Sequence, residues 1–346
     1  MSYSVINATV AHWLNNKDIK KILPAQVDID LTNNCNQDCY YCMTADFRRN
    51  FPVQQTYKDY IVLLDKLASW REHTPNSYGT THAITYAGGG EPTLLKYYER
   101  VIEHSIDCGF LVSLTTNGTL LDKLLDHVPE EKLKKLNWIG IDIDSADPDT
   151  YEKIRRSDTS NMFSRVINNA RRLREIDVNV DFKSLLDNTT SLPDEIEKMF
   201  QLGSDIKIRK IYYRPVIDYD KYESFNITND ILETIDHFSK KYNVAYSVNL
   251  SKSAPREYKK CHQMFQFPVF CADGKIYTCC DHKGDERFCI GDWMNGDFRD
   301  EWLNDRHWEV YNNINTHLCP PCRANNNNNQ IEQMLKNSEL LEVLNT

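Results

Sequence analysis

Six times along the first two thirds of the chain, an apolar, β-branched run gives way to an amphipathic stretch with helical spacing. The runs at 27–31, 83–86, 110–114, 138–143, 178–185 and 206–213 predict strands. Between them, 57–70 places Ile61, Leu64, Leu67 and Ala68 at i, i+3 and i+4 spacing, and 94–108, 162–173 and 192–200 repeat the pattern. Strand–helix alternation of this kind implies an α/β fold on a parallel sheet with right-handed crossovers. Alternation alone leaves two architectures open, an incompletely closed barrel and a doubly wound sheet. Either one gathers ligands at the carboxyl ends of the strands. Three motif-like stretches fall at those ends: the Cys35 loop, the glycines from Gly88, and Thr116-Asn117-Gly118.

The pattern ends near residue 217. A helix at 231–242 and a strand at 244–248 follow, and from Cys261 the chain turns to cysteine, aromatic residues and glycine, as in a small metal-stapled module. The asparagine run at 325–329 predicts a flexible joint before a terminal helix at 331–344. The expected units are an N-terminal segment 1–24, a sheet domain 25–217, a connecting region 218–260, a cysteine-rich module 261–324, and a joint with helix 325–346. The net charge of −9 argues against a large nucleic-acid surface or an anionic membrane as partner. No apolar run reaches the ~20 residues of a membrane helix, and residues 1–16 lack a charged head before an apolar core, so a cytoplasmic location is expected.

In such a reducing setting eleven cysteines, an odd number, do not read as a disulfide framework. Three lie between Cys35 and Cys42, Cys108 stands alone on a predicted helix, and seven fall between Cys261 and Cys322. Two thiolate groups predict two metal sites. Cys35, Cys39 and Cys42 can wrap one face of an iron–sulfur cubane. Three ligands where four are usual leave one iron open for chemistry. On spacing alone zinc, which favours closed sites built from two pairs, and free thiols remain the competing readings.

Cys35-Asn-Gln-Asp-Cys39-Tyr-Tyr-Cys42 after the first strand resembles the CxxxCxxC loop of the radical S-adenosylmethionine superfamily, with Tyr41 as its aromatic residue. Gly88-Gly89-Gly90-Glu91-Pro92 after the second strand is similar to the family's GGEP motif, whose glycines let backbone carbonyls approach the methionine amino group. Asn117 falls in a TNG-like turn, and 141–145 resembles the SLD segment with Asp142 in place of serine. An aspartate would repel the S-adenosylmethionine carboxylate, which directs Asp142 towards ribose or substrate and makes Arg165 the candidate carboxylate partner. Asn188 joins the candidate cofactor contacts. Lys183, Arg209, Tyr212 and Arg214, on strands five and six, are the candidate substrate contacts. Strand alternation keeps Arg209 from sharing a face with Tyr212 and Arg214.

Cys261, Gly274 and Cys279, then Cys319-Pro-Pro-Cys322, resemble the SPASM and twitch auxiliary-cluster modules. The lack of cysteines after Cys322 favours the shorter twitch form, with Cys261, Cys279, Cys319 and Cys322 as ligands. Cys271, Cys280 and Cys289 are left as small buried groups; the alternatives are that one replaces a ligand of the four, that they hold part of an extra cluster, or that one facing the substrate donates a hydrogen atom. The resemblance implies a partial (β/α)6 barrel with a small C-terminal twitch-like module. It also implies an S-adenosylmethionine-binding [4Fe–4S] cluster, a second auxiliary [4Fe–4S] cluster, and an electron donor such as flavodoxin or ferredoxin. The expected reaction is hydrogen abstraction by a 5′-deoxyadenosyl radical from a sugar, aminocyclitol or nucleotide sugar, giving oxidation or epimerisation. Modification of a peptide is the alternative. It is disfavoured because about 24 residues precede the first strand, where many peptide enzymes carry a leader-binding domain of roughly 80.

Overall fold

The computed structural model describes residues 3–16, 22–72, 81–156 and 161–337. Six parallel strands follow one another in space as in sequence: β1 (Gln26–Asp30), β2 (Ala83–Ala87), β3 (Leu111–Thr116), β4 (Trp138–Asp142), β5 (Val180–Leu186) and β6 (Lys210–Pro215). Consecutive pairing with a helix in each crossover is the barrel topology, and the barrel is open, because β1 and β6 do not meet. Val27, Ile29, Ile84, Val112, Leu114, Ile139, Ile141 and Val180 are wholly buried, as strands covered on both faces must be. The sixth strand begins later than its apolar run suggests. The helix Pro193–Ile206 continues through Ile206 and ends at Lys207, whose left-handed backbone (φ +61°) turns the chain into the strand.

A two-stranded ribbon, β7 (Ile217–Asp218) with β8 (Glu223–Ser224), precedes the helix Asn229–Tyr242. Strand β9 (Ala245–Val248) then pairs in parallel with β6. On the other edge β10 (Val269–Phe270) pairs in parallel with β1, and β11 (Lys275–Tyr277) and β12 (Cys289–Asp292) add antiparallel strands. The result is one ten-stranded sheet, so the cysteine-rich segment extends the barrel wall instead of hanging from it.

The asparagine run corrects the expected flexible joint: 325–329 opens the helix Asn325–Lys336. Its side chains clasp neighbouring backbone. Asn325 Nδ2 donates to the Ala254 carbonyl (2.6 Å), Asn328 Oδ1 accepts from Gln263 N–H (2.9 Å), and Asn329 Nδ2 donates to the Pro255 carbonyl (2.9 Å). This helix lies against the N-terminal helix Tyr3–Asn16, where Asn7 Nδ2 donates to Gln330 Oε1 (2.7 Å). The expected helix at 331–344 extends beyond the described residues after 337.

His307 sits wholly buried among Phe265 and Trp302, its Nδ1 accepting from Leu303 N–H at 3.1 Å and its Nε2 without a partner. Burial lowers its pKa from 6.5 to about 3, so the unfolded chain takes up a proton first as the pH falls. Stability is therefore expected to drop by about 2 kcal/mol between pH 6.5 and about pH 5 from this group alone. Urea melts should show that loss in the native chain and not in His307→Phe.

Candidate active site

Strands β1 to β6 deliver their carboxyl ends to one cavity of about 230 Å³. Cys35, Cys39 and Cys42 line it together with the Gly88–Pro92 turn, Asn117, Asp142, Lys183 and Arg214. The cysteine loop is held at its back. Asp144, buried beyond β4, pairs with Arg155 (2.7 Å), accepts from Leu185 N–H (2.9 Å) and takes the Tyr41 hydroxyl. Arg155 Nη1 in turn lies 3.9 Å from Cys39 Sγ, and Arg48 Nη2 lies 3.7 Å from Cys42 Sγ. Tyr41 thus braces the loop from behind and is not among the cavity-lining residues, in contrast to the cofactor contact expected of it.

The glycine turn is pinned to the chain that leaves β1. Gly90 N–H donates to the Thr32 carbonyl and Glu91 N–H to the Asn34 carbonyl, both at 2.8 Å. A Cβ on Gly90 would overlap the Asn34 carbonyl oxygen, and one on Gly88 would overlap the Gly90 oxygen. Backbone cannot yield as a side-chain tip can. Gly90→Ala is expected to cost ~1–3 kcal/mol and to open the turn, read as a lower melting temperature together with weaker S-adenosylmethionine binding in calorimetry.

Glu91 is buried behind this turn and accepts from Thr93 N–H and hydroxyl, the Thr116 hydroxyl and Asn117 N–H, at 2.6–3.0 Å. Burial raises its pKa, against the pull of those donors. It ties the end of β2 to the end of β3, so its role is to shape the site.

The C-terminal segment completes the wall. Lys283 Nζ reaches Asp30 Oδ2 (2.5 Å) and the Gly88 carbonyl (2.9 Å). Arg323 Nη2 pairs with Asp28 Oδ2 at 2.9 Å. Cys280 lines the same cavity, which corrects its assignment as a buried packing group. Cys271 and Cys289 are buried as expected. A second cavity, about 210 Å³, shares Cys280 and Arg323 with the first and holds Tyr212. Cys261, Cys279, Cys319 and Cys322 converge on a third, narrow cavity beside His282 and Phe288.

Three expected contacts lie elsewhere. Arg209 precedes β6 at its amino end and pairs with Asp181 at 2.5 Å, far from the carboxyl-end mouth, because the alternation of a strand fixes its face and not its end. Arg165 is half exposed on the helix Met162–Glu175 and pairs with Asp122 (3.1 Å). Asn188 is exposed in the turn after β5, outside the cavity. Sequence reading missed Arg155, Lys283, Arg323, Asp28 and Asp30, and no local pattern marks them.

The donor chemistry fits iron–sulfur clusters at both thiol sets. Burial pushes Cys35 and Cys261 up to about 12 and raises Cys39, Cys319 and Cys322, so buried thiolates need a cation beside them, which iron supplies. The first set offers three thiols beside an open cavity, and the second offers four.

A family model described as the Radical SAM superfamily matches residues 29–202. A probable GTP 3′,8-cyclase of Methanocaldococcus jannaschii is 30% identical over 217 residues, 60% of this chain and 66% of that protein. An S-adenosylmethionine-dependent nucleotide dehydratase of Selenomonas ruminantium is 31% identical over 129 residues, 36% of this chain and 41% of that protein. The chain thus spans less than two thirds of these two relatives. Among solved structures, Streptococcus suis SuiB bound to S-adenosylmethionine superposes with a TM-score of 0.66 at 15% identity, covering 84% of this chain and 68% of that one. Native anSMEcpe with bound AdoMet and a Cp18Cys peptide gives 0.60 at 15% identity, covering 93% and 99%. These two show the shared fold. The family match takes in the end of β1, the cysteine loop, the glycine turn and strands β2 to β5, and on that ground this chain belongs to the radical SAM superfamily.

Proposed function

We propose that the chain abstracts hydrogen from a carbon of a small polar substrate, a sugar, aminocyclitol or nucleotide sugar, and so oxidises or epimerises it. Cys35, Cys39 and Cys42 would hold a [4Fe–4S] cluster that, with S-adenosylmethionine, would supply one-electron cleavage to methionine and a 5′-deoxyadenosyl radical, and Cys261, Cys279, Cys319 and Cys322 would hold an auxiliary [4Fe–4S] cluster as a second redox site. The observation that carries this reading is one shared cavity, in which the three thiols and the polar groups Asp142, Lys183 and Arg214 face a common space. Asp142 accepts from hydroxyls, while Lys183 and Arg214 orient acceptors. The Lys283 and Arg323 wall closes the cavity from the C-terminal side and limits water at the reacting carbon. Electrons would come from a flavodoxin or ferredoxin in the cytoplasm.

Curated relatives at 30–31% identity are named as nucleotide enzymes, which supports a small-molecule substrate. A peptide substrate draws support from fold likenesses at 14–15% identity to two proteins whose structures hold a peptide. The test is anaerobic incubation of reconstituted, reduced protein with deuterated sugars, aminocyclitols and nucleotide sugars. Deuterium is expected in 5′-deoxyadenosine. Label appearing only from deuterated peptides would overturn the reading.

A further inference from the structure

Lys183 on β5 and Arg214 on the neighbouring β6 enter the active cavity together with Arg323, which follows the last cysteine of the C-terminal segment. None of the three is fully spent on a protein partner. Arg214 approaches Asp142 only at 3.5 Å, and its Nε is buried with no hydrogen-bond partner. Lys183 Nζ donates to the neutral Thr115 hydroxyl at 2.9 Å. Arg323 holds Asp28 through Nη2, at 2.9 Å, and lines both the first and the second cavity. Burial first, then the charges of Arg214 and Arg323, lower Lys183 to about 8, while burial and the same two arginines lower Lys252 nearby. Asp28, Asp142, Asp281 and the Cys280 thiol lie among these four cations, and Asp28 is already held by Arg323. Arg214 and Arg323 are partly exposed, and cationic groups gathered around a half-enclosed cavity, with Arg214 Nε unpartnered, favour an entering anion.

We propose that Lys183, Arg214 and Arg323 form a phosphate subsite that holds a phosphoryl group of the substrate. This rests on the cavity being the substrate site and narrows the substrate to phosphorylated small molecules. A guanidinium with a free edge matches two phosphate oxygens, and an ammonium adds a point charge. The rival anion is the carboxylate of S-adenosylmethionine. That carboxylate would lie at the Cys35–Cys39–Cys42 set, whereas Arg323 reaches the join between the two cavities and lines both.

The test is anaerobic calorimetry on the reconstituted 346-residue chain with S-adenosylmethionine present, titrating inorganic pyrophosphate and, separately, malonate. Saturable pyrophosphate binding, tighter than malonate, is expected. Lys183→Gln and Arg214→Gln should each weaken it about tenfold, as loss of one charge-assisted contact predicts. Arg214→Lys should retain part of it, and the exposed Lys240→Gln should behave as the native chain. Absence of pyrophosphate binding, equal binding of malonate, or a loss of S-adenosylmethionine affinity in place of pyrophosphate affinity would overturn the proposal. The native-chain comparison of the two anions decides even if a variant fails to fold. Because binding needs no turnover, this result stands apart from the deuterium-transfer test of the function itself.

Discussion

Replacing Cys35, Cys39 and Cys42 together by alanine is expected to abolish 5′-deoxyadenosine formation and to halve the iron, from about eight to about four per chain. The three thiols share one cavity, and two of them carry arginine neighbours positioned for anionic sulfur. Cys261, Cys279, Cys319 and Cys322 face a different cavity and keep their own metal when the first set is removed. Iron and sulfide assays on anaerobically reconstituted protein separate the two sets, and replacing the second set by alanine should give the complementary loss. Four irons in the native chain would remove the auxiliary cluster. Undiminished S-adenosylmethionine cleavage in the triple variant would remove the catalytic one.

Lys283→Met should cost about 3–5 kcal/mol, the penalty of leaving a buried carboxylate without its partner. Asp30 is fully enclosed and Lys283 nearly so, and burial drives the Asp30 carboxyl up while Lys283 opposes the shift. The same ammonium holds the Gly88 carbonyl, so its loss also loosens the turn that would face the methionine amino group. Weaker S-adenosylmethionine binding should therefore accompany the lower melting temperature. Adding Asp30→Asn removes the stranded charge and should restore most of the stability without restoring the affinity, because the Gly88 carbonyl still lacks its donor. Recovery of both together would show that Lys283 acts on stability alone.

The features legible in sequence are those written locally. Strand–helix alternation, CxxxCxxC and GGGEP each occupy a few consecutive residues, and chain direction places them at the same end of the sheet. Lys283 and Arg323 are illegible because their partners, Asp30 and Asp28, are more than 250 positions away. The place of Arg209 is illegible for a different reason. Its spacing from Tyr212 states that the two differ in face, and nothing in the spacing states that it precedes the strand. The composition of the asparagine run is silent on its helix, since low complexity says nothing of the carbonyls at Ala254 and Pro255 that its amides reach.

Strand β10 runs beside β1, with Asp28 N–H donating to the Pro268 carbonyl at 3.0 Å. Numbering therefore suggests a seam that the hydrogen bonds do not respect. A chain stopped before residue 261 would lay bare the flank of the strand that feeds the cysteine loop, an adhesive edge inviting another molecule to complete it. The described residues are best regarded as one folding unit, in which strands synthesised late seal the flank of an early one.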